Sequence, residues 1–385
     1  ARWAEVLIIN GTRLPVNGQD VNGAQSDVVL AYKNDTRTGW AGTMSQTAPV
    51  ANLGSFTASG DLATIILKAG SWQGTTTTSF DDLLATSSAA TPPPPNPAPE
   101  KLARIGFHVG PGGNQTGLSD WMRRLDAAGI PFFLKSVDSA GQLLEAARLR
   151  EVSGVPHVLV YRATRDVPDY ALAPEPSARE HWALHRSLFP PELSPYKDWI
   201  WVETVNEVDK NRAEWLARFS YETALLAMND GFRWAAFGWS SGEPEPHQWE
   251  GPEMLRFLRL AAENPDRVAI ALHEYSFTID SIDNGFPYLV GRFQELFDAA
   301  DRNGLERPTV LITEWGWEYQ RVPGPSTAME HIRWADELYA EHPQIRGAAI
   351  WYLGPGFGGI SDLTQRLIGP LTDFYLQKYG AAPRN

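Results

Sequence analysis

From about residue 103 onward the chain alternates between two spacings of apolar residues. Short runs rich in apolar and β-branched residues, at 104–109, 131–135, 157–162, 199–206, 233–237, 268–273, 309–313 and 347–351, read as buried strands. Between them, stretches with apolar residues at helical intervals, at 118–128, 140–150, 215–228, 252–262, 288–301 and 329–341, read as amphipathic helices. Eight strand–helix units over this length predict an α/β fold closed into a (β/α)8 TIM barrel. A doubly wound sheet is the competitor, but it needs a glycine-rich phosphate turn. Gly110-Pro111-Gly112-Gly113-Asn114 carries a proline and lacks that spacing.

The first 90 residues have another texture. β-type runs at 6–9, 27–32 and 63–67 stand among Asn, Gly, Ser and Thr clusters without a helical period, which predicts a small N-terminal β-sandwich domain. Trp3, Trp40 and Trp72 would serve there either as core residues or as a sugar-binding platform. The run Thr91-Pro92-Pro93-Pro94-Pro95-Asn96-Pro97-Ala98-Pro99 favours polyproline II and reads as a semi-rigid spacer. The expected division is therefore 1–90 accessory domain, 91–100 linker and 101–385 barrel.

Charge and composition narrow the partners. With 33 basic against 46 acidic residues the net charge is −13, which argues against nucleic acid. No apolar run is long enough for a membrane span. Cysteine is absent, so disulfides, thiolate metal sites and cysteine nucleophiles are excluded. No metal-binding motif stands out, and no cofactor is expected. Trp at 15 and Tyr at 12 are generous, and aromatic faces suit the apolar faces of sugar rings as well as a large core.

A barrel keeps its chemistry at the C-terminal ends of its strands. Two glutamates stand at such ends among tryptophans, Glu207 in Trp201-Val-Glu-Thr-Val-Asn-Glu207 and Glu314 in Val310-Leu-Ile-Thr-Glu314-Trp315. Paired carboxylates in that setting suggest an acid/base and a nucleophile flanking a sugar bond. The other strand ends contribute His108, Lys135, Asp138, Arg162, Asn206, Trp239, Ser240, His273, Tyr275 and Trp351. Their joint occurrence points to one functional face.

These motifs resemble clan A of the glycoside hydrolases, retaining (β/α)8 enzymes whose acid/base follows an asparagine after strand four and whose nucleophile ends strand seven. Asn206-Glu207 and Thr313-Glu314-Trp315-Gly316 match those positions, His273-Glu274-Tyr275 resembles the His-x-Tyr of strand six, and Trp351 resembles the aromatic platform of strand eight. The Glu203-x-x-Asn206-Glu207 spacing is closest to the xylosidase-like and exopolysaccharide-hydrolase branch. Val208 replaces a proline common after the acid/base. Lys135 and Arg162 stand where the cellulase-like branch has arginine and histidine.

Physical roles follow for the same residues. Glu207 must hold a proton, so its pKa is expected to be raised by desolvation or by the anion at Glu314. Glu314 must be ionised, helped by a hydrogen bond from Tyr275 or a charged donor. Asn206 would meet the sugar 2-hydroxyl, and Trp351, Trp239 and Trp315 would stack on sugar faces. Glu203 shares parity with Glu207 and should pair inside the barrel with Lys135 or Arg162. Glu274 points away from the site. Glu243, Glu245 and Glu250 read as solvated loop charges. Side chains of equal length across the barrel mouth should bring the two carboxyl groups to about 5–5.5 Å.

The expected function is retaining, endo-type hydrolysis of a β-linked polysaccharide, by a secreted monomer whose signal peptide has been removed. Long loops at 163–180 and 239–251 would wall a cleft or cap a pocket. An exo-acting β-xylosidase or β-glucosidase on oligosaccharides is one alternative. A barrel that only binds glycan is another.

Overall fold

The computed structural model describes residues 101–380 throughout and, before them, the backbone of five strands: β1 (Arg2–Ile9), β2 (Gln19–Asp20), β3 (Gln25–Lys33), β4 (Arg37–Ser45) and β5 (Thr64–Ser71). The chain divides into two compact units, Ala1–Pro93 and Pro94–Asn385. In the first, β1 is central. It pairs in parallel with β3 and antiparallel with β2 and β5, and β3 pairs antiparallel with β4, giving one mixed sheet. The segments between and after these strands, on which a second sandwich layer and the tryptophan platform would depend, lie outside the described residues, as does the spacer.

In the second unit eight parallel strands close on themselves: β6 (Ala103–Val109), β7 (Phe132–Val137), β8 (Val158–Arg162), β9 (Ile200–Glu203), β10 (Arg233–Trp239), β11 (Val268–Tyr275), β12 (Thr309–Gly316) and β13 (Ile345–Ile350), with β13 paired to β6. The helices are α1 (Leu118–Ala127), α2 (Gly141–Ser153), α3 (Pro174–Leu188), α4 (Ala213–Asn229), α5 (Pro252–Glu263), α6 (Phe293–Arg302), α7 (Pro325–Ala340), α8 (Ile360–Gln365) and α9 (Ile368–Tyr379). The (β/α)8 architecture expected from the alternating pattern is present. No helix among the described residues is long and apolar enough to cross a membrane.

Strand parity separates two apolar regions. Phe133, Val160, Trp201, Ala235, Ala271 and Leu311 are inward residues that fill the barrel. Their neighbours Phe132, Leu134, Leu159, Val202, Trp234 and Ile312 face the helices and join the larger core. This interior is a packed floor, and the next inward layer toward the C-terminal face is polar: Lys135, Arg162, Glu203 and His273 are all buried.

Two bulges re-aim this layer. On β12, Leu272 faces Ile312 but His273 faces Glu314, so Thr313 is the extra residue and Glu314 is turned to the mouth beside it. On β10 the register slips between Phe237 and Trp239, with Phe237 and Gly238 in left-handed conformations at φ 79° and 53°. Alternation is broken there, and Phe237 and Trp239 stack on each other in the helix-side core.

The loop expected at 163–180 is shorter than the sequence suggests, because Pro174 opens α3. A proline in the first turn lacks only an N–H that would have no helical partner. Strand β9 ends at Glu203, leaving residues 204–207 beyond the ladder.

Candidate active site

Glu314 is 7% exposed at the barrel mouth and surrounded by donors. The Tyr275 hydroxyl donates to Oε2 at 2.8 Å, and Lys135 Nζ and Arg162 Nη1 reach Oε1 at 3.4 and 3.3 Å. Burial pushes the Glu314 pKa up, but the electrostatic pull of His273, Lys135 and Arg162 outweighs it and holds the carboxyl well below the usual range. Tyr275 is pushed well above its ordinary value by burial and by Glu314, so it stays a donor. The expectation of an ionised Glu314 bonded to Tyr275 agrees with this geometry.

Behind Glu314 lies a second buried anion. Glu203 Oε2 is 2.6 Å from Lys135 Nζ and 3.9 Å from Arg162 Nη1, and Oε1 accepts from Thr313 Oγ1 at 2.7 Å. Lys135 thus bridges Glu203 and Glu314, and two cations face two anions in a buried layer. Burial, and then Arg162, lowers the Lys135 pKa despite both carboxylates. The internal pairing expected for Glu203 is present, while Lys135 is fully buried behind Glu314 and offers no exposed surface. The sugar contact expected of Lys135 is therefore corrected to a support of Glu314. Arg162 divides itself among Glu314, Glu203 and Asn206, whose Oδ1 accepts from Nη1. That leaves the amide nitrogen of Asn206 as the end not held by Arg162.

Glu207 is held differently. It takes φ 45°, and its own N–H donates across to the Gly238 carbonyl at 2.8 Å. Gly238 is required there: an added Cβ would lie 3.0 Å from the Val205 carbonyl oxygen and 3.1 Å from Glu203 Oε1. The Glu207 side chain is 50% exposed and accepts from Ser240 Oγ at 3.3 Å. His273 joins the two carboxylates: its Nδ1 is 3.5 Å from Glu207 Oε1 and 3.6 Å from Glu314 Oε2. The two oxygens are therefore no further apart than those legs end to end, and nearer in any bent arrangement. The expected rise in the Glu207 pKa is overturned. His273 lowers it first as a hydrogen-bond donor and then by charge, against burial and the Glu314 anion.

His108 lies 3.8 Å from Glu314, and burial followed by the charge of Lys135 drives its pKa well down, keeping the ring neutral. The rings of His108 and His273 are both buried beside these carboxylates.

Trp351 follows β13 with its ring edge-on to Tyr275 at 6.4 Å and 85°. Trp239 and Trp315 require correction. Both are fully buried in the helix-side core, Trp315 edge-on to Trp317 and Trp239 against Phe237, and neither offers a face to a sugar. The sequence reading missed Tyr319, Tyr352 and Phe357, whose rings lie 6.0, 5.2 and 4.8 Å from that of Trp351. The interrupted glycines of 354–359 were the available signal.

No protein-family model and no curated protein matches the sequence. Among solved structures, the chain is similar to a GH5-4 broad-specificity endoglucanase from Clostridium longisporum, at 11% identity over 70% of this chain and 97% of that one, with a TM-score of 0.40. It is also similar to a hyperthermostable endo-1,4-β-D-mannanase from Thermotoga petrophila, at 11% identity over 69% and 99% of the two chains and a TM-score of 0.38. The YdjI aldolase from Escherichia coli K12 is similar at 11% identity over 73% and 93%, with a TM-score of 0.35.

Proposed function

We propose that the barrel is a retaining β-glycoside hydrolase of clan A, with Glu314 as nucleophile and Glu207 as acid/base. The observation that carries this reading is the contrast between the two carboxylates. Glu314 is buried, ionised and aimed by Tyr275, while Glu207 is half-exposed and linked to it through His273. A carboxylate held so far below its usual pKa is a weak base toward water, which an inverting mechanism would require, but it remains able to attack an anomeric carbon as an anion.

In the first step Glu314 forms the bond to the anomeric carbon as Glu207 protonates the departing oxygen. In the second, Glu207 takes a proton from water, which displaces Glu314, and two inversions give net retention. A sugar covering the exposed half of Glu207 would desolvate it and raise its pKa, the direction an acid needs. The substrate in this reading is a β-linked polysaccharide cut internally, and the enzyme is secreted.

The test is a hydrolysis screen over β-glucans, xylan, mannan and bacterial exopolysaccharides, followed by proton NMR of the first product. β-Configured product before mutarotation is expected, and an initial α product excludes the mechanism. Glu314→Ala should abolish turnover on every substrate. Glu207→Ala should spare activated aryl glycosides, whose leaving group needs no proton. Equal loss on both substrate types would overturn the assignment of roles.

A further inference from the structure

Resting on the hydrolase reading, the geometry points to a second sugar-binding position, built by Tyr319 and Phe357 beside Trp351, that receives glycone units beyond the one attacked. Tyr319 is 65% exposed and Phe357 41%, although both are large apolar rings. The Tyr319 and Trp351 planes are within 25° at 6.0 Å, which is near-parallel but laterally offset, while Phe357 stands edge-on to both Trp351 and Tyr319. The three make a stepped surface with an upright wall, continuous with Glu314 through the Trp351–Tyr275 contact.

The backbone is bent to present them. Phe357 and Gln320 adopt φ 48° and 60°, conformations that cost a non-glycine residue energy. Gly356, Gly358 and Gly359 surround Phe357, also at positive φ. Gln320 from the β12 loop packs onto Gly358 of the β13 loop, where an added Cβ would meet its Oε1 at 3.0 Å. Two loops are thus tied together at strained positions while their aromatic rings face solvent. A purely structural role would turn those rings inward.

Direction follows from the barrel order. Strands β9 and β13 are diametrically opposed in the closed sheet. Glu207, after β9, protonates the oxygen of the departing half of the substrate, so that half leaves on the β9 side. The half that stays on Glu314 extends the other way, over Trp351 toward Tyr319 and Phe357. Apolar faces of pyranose rings suit these rings, and the continuity with the catalytic pair makes substrate sugar the occupant.

The test uses the full chain and aryl β-glycosides carrying one or three sugars, in matched glucose, xylose and mannose series. In the series the enzyme accepts, kcat/KM should favour three sugars over one. Tyr319→Ala and Phe357→Ala should each reduce that ratio by about 3- to 10-fold, the range for loss of one aromatic stacking partner. Tyr319→Phe should preserve the ratio, since the ring face is what binds. A ratio unchanged in both alanine variants overturns the proposal. If the wild-type chain hydrolyses none of the glycosides, the hydrolase reading fails instead. Tryptophan-fluorescence titration with the free trisaccharides then decides the subsite alone: binding weakened by Tyr319→Ala supports it, and binding indifferent to Tyr319 or absent overturns it.

Discussion

Lys135 and Glu203 form the buried pair on which the environment of Glu314 depends, and a double-mutant cycle across them measures how far. In Lys135→Met, Glu203 keeps only Thr313 Oγ1 at 2.7 Å and Arg162 at 3.9 Å. In Glu203→Gln, Lys135 keeps only Glu314 at 3.4 Å. Each leaves a buried charge under-compensated, which costs about 3–5 kcal/mol. Against a typical total of about 5–15 kcal/mol this is severe, and it should lower Tm by roughly 6–20 °C. Lys135→Met with Glu203→Gln removes one charge of each sign, and the amide oxygen that replaces the carboxylate can still accept from Thr313. The double variant should recover about 3 kcal/mol or more of the summed cost. Activity should not recover with stability, because Glu314 has lost a neighbouring cation and its pKa rises, shifting the acid limb of kcat/KM upward. Urea unfolding followed by near-UV circular dichroism, together with pH–rate profiles, reads both quantities. Costs that add within about 0.5 kcal/mol would refute the coupled-layer picture.

Tyr275→Phe removes the 2.8 Å bond to Glu314, a hydrogen bond to a charged group. It should cost about 10- to 100-fold in kcat/KM and move the acid limb up, whereas an unshifted limb would deny Tyr275 its electrostatic role. Glu274 is buried on the helix side of β11 with its pKa pushed up to about 7 by burial, against donors Gly291 N–H, Tyr339 Oη–H and Phe293 N–H. A raised carboxylate binds its proton more tightly when folded. Its stabilising contribution is therefore complete below about pH 4 and is lost as pH rises through about 7, to the extent of about 3 kcal/mol. The difference between wild-type and Glu274→Gln stability should slope in that window, and a flat difference refutes it. Trp239→Ala should cost about 3–5 kcal/mol as a core deletion. An altered KM with unchanged Tm would instead restore a sugar-stacking role.

The barrel was legible because its signals are local. Inward and outward apolar residues on eight short strands alternate with helical periods, and most expected strands lie within a few residues of those observed. Glu314, Tyr275 and the Glu203–Lys135 pair were legible too, since parity and the cost of a lone buried charge select few partners. What was not legible depends on backbone departures without a composition signal. The extra residue on β10 turned Trp239 into the helix-side core, and alternation carried past that bulge would point it at the cleft. The first-turn role of Pro174 hid α3. The Glu207 pKa depended on His273 approaching both carboxylates, a three-body arrangement invisible to strand-by-strand reading. Tyr319 and Phe357 lie in loops whose mutual contact the one-dimensional pattern does not encode.

Glu314 is set within a strand paired on both sides, whereas Glu207 hangs beyond the end of β9, its left-handed backbone tied to the Gly238 carbonyl. The two duties proposed for these residues therefore stand on unequal mechanical footings. Variation at 208–210, beyond Asn206 and Glu207 themselves, can re-aim the proposed proton donor, and with it the range of leaving groups, without disturbing the proposed nucleophile. Change along β12 has no such freedom, because one residue of slip carries Thr313, Glu314 and Trp315 to the wrong sides together. A diversification experiment should find functional variants dense at 208–210 and nearly absent along β12, so that, on the proposed roles, tolerance of the aglycone is the trait this scaffold leaves open to drift.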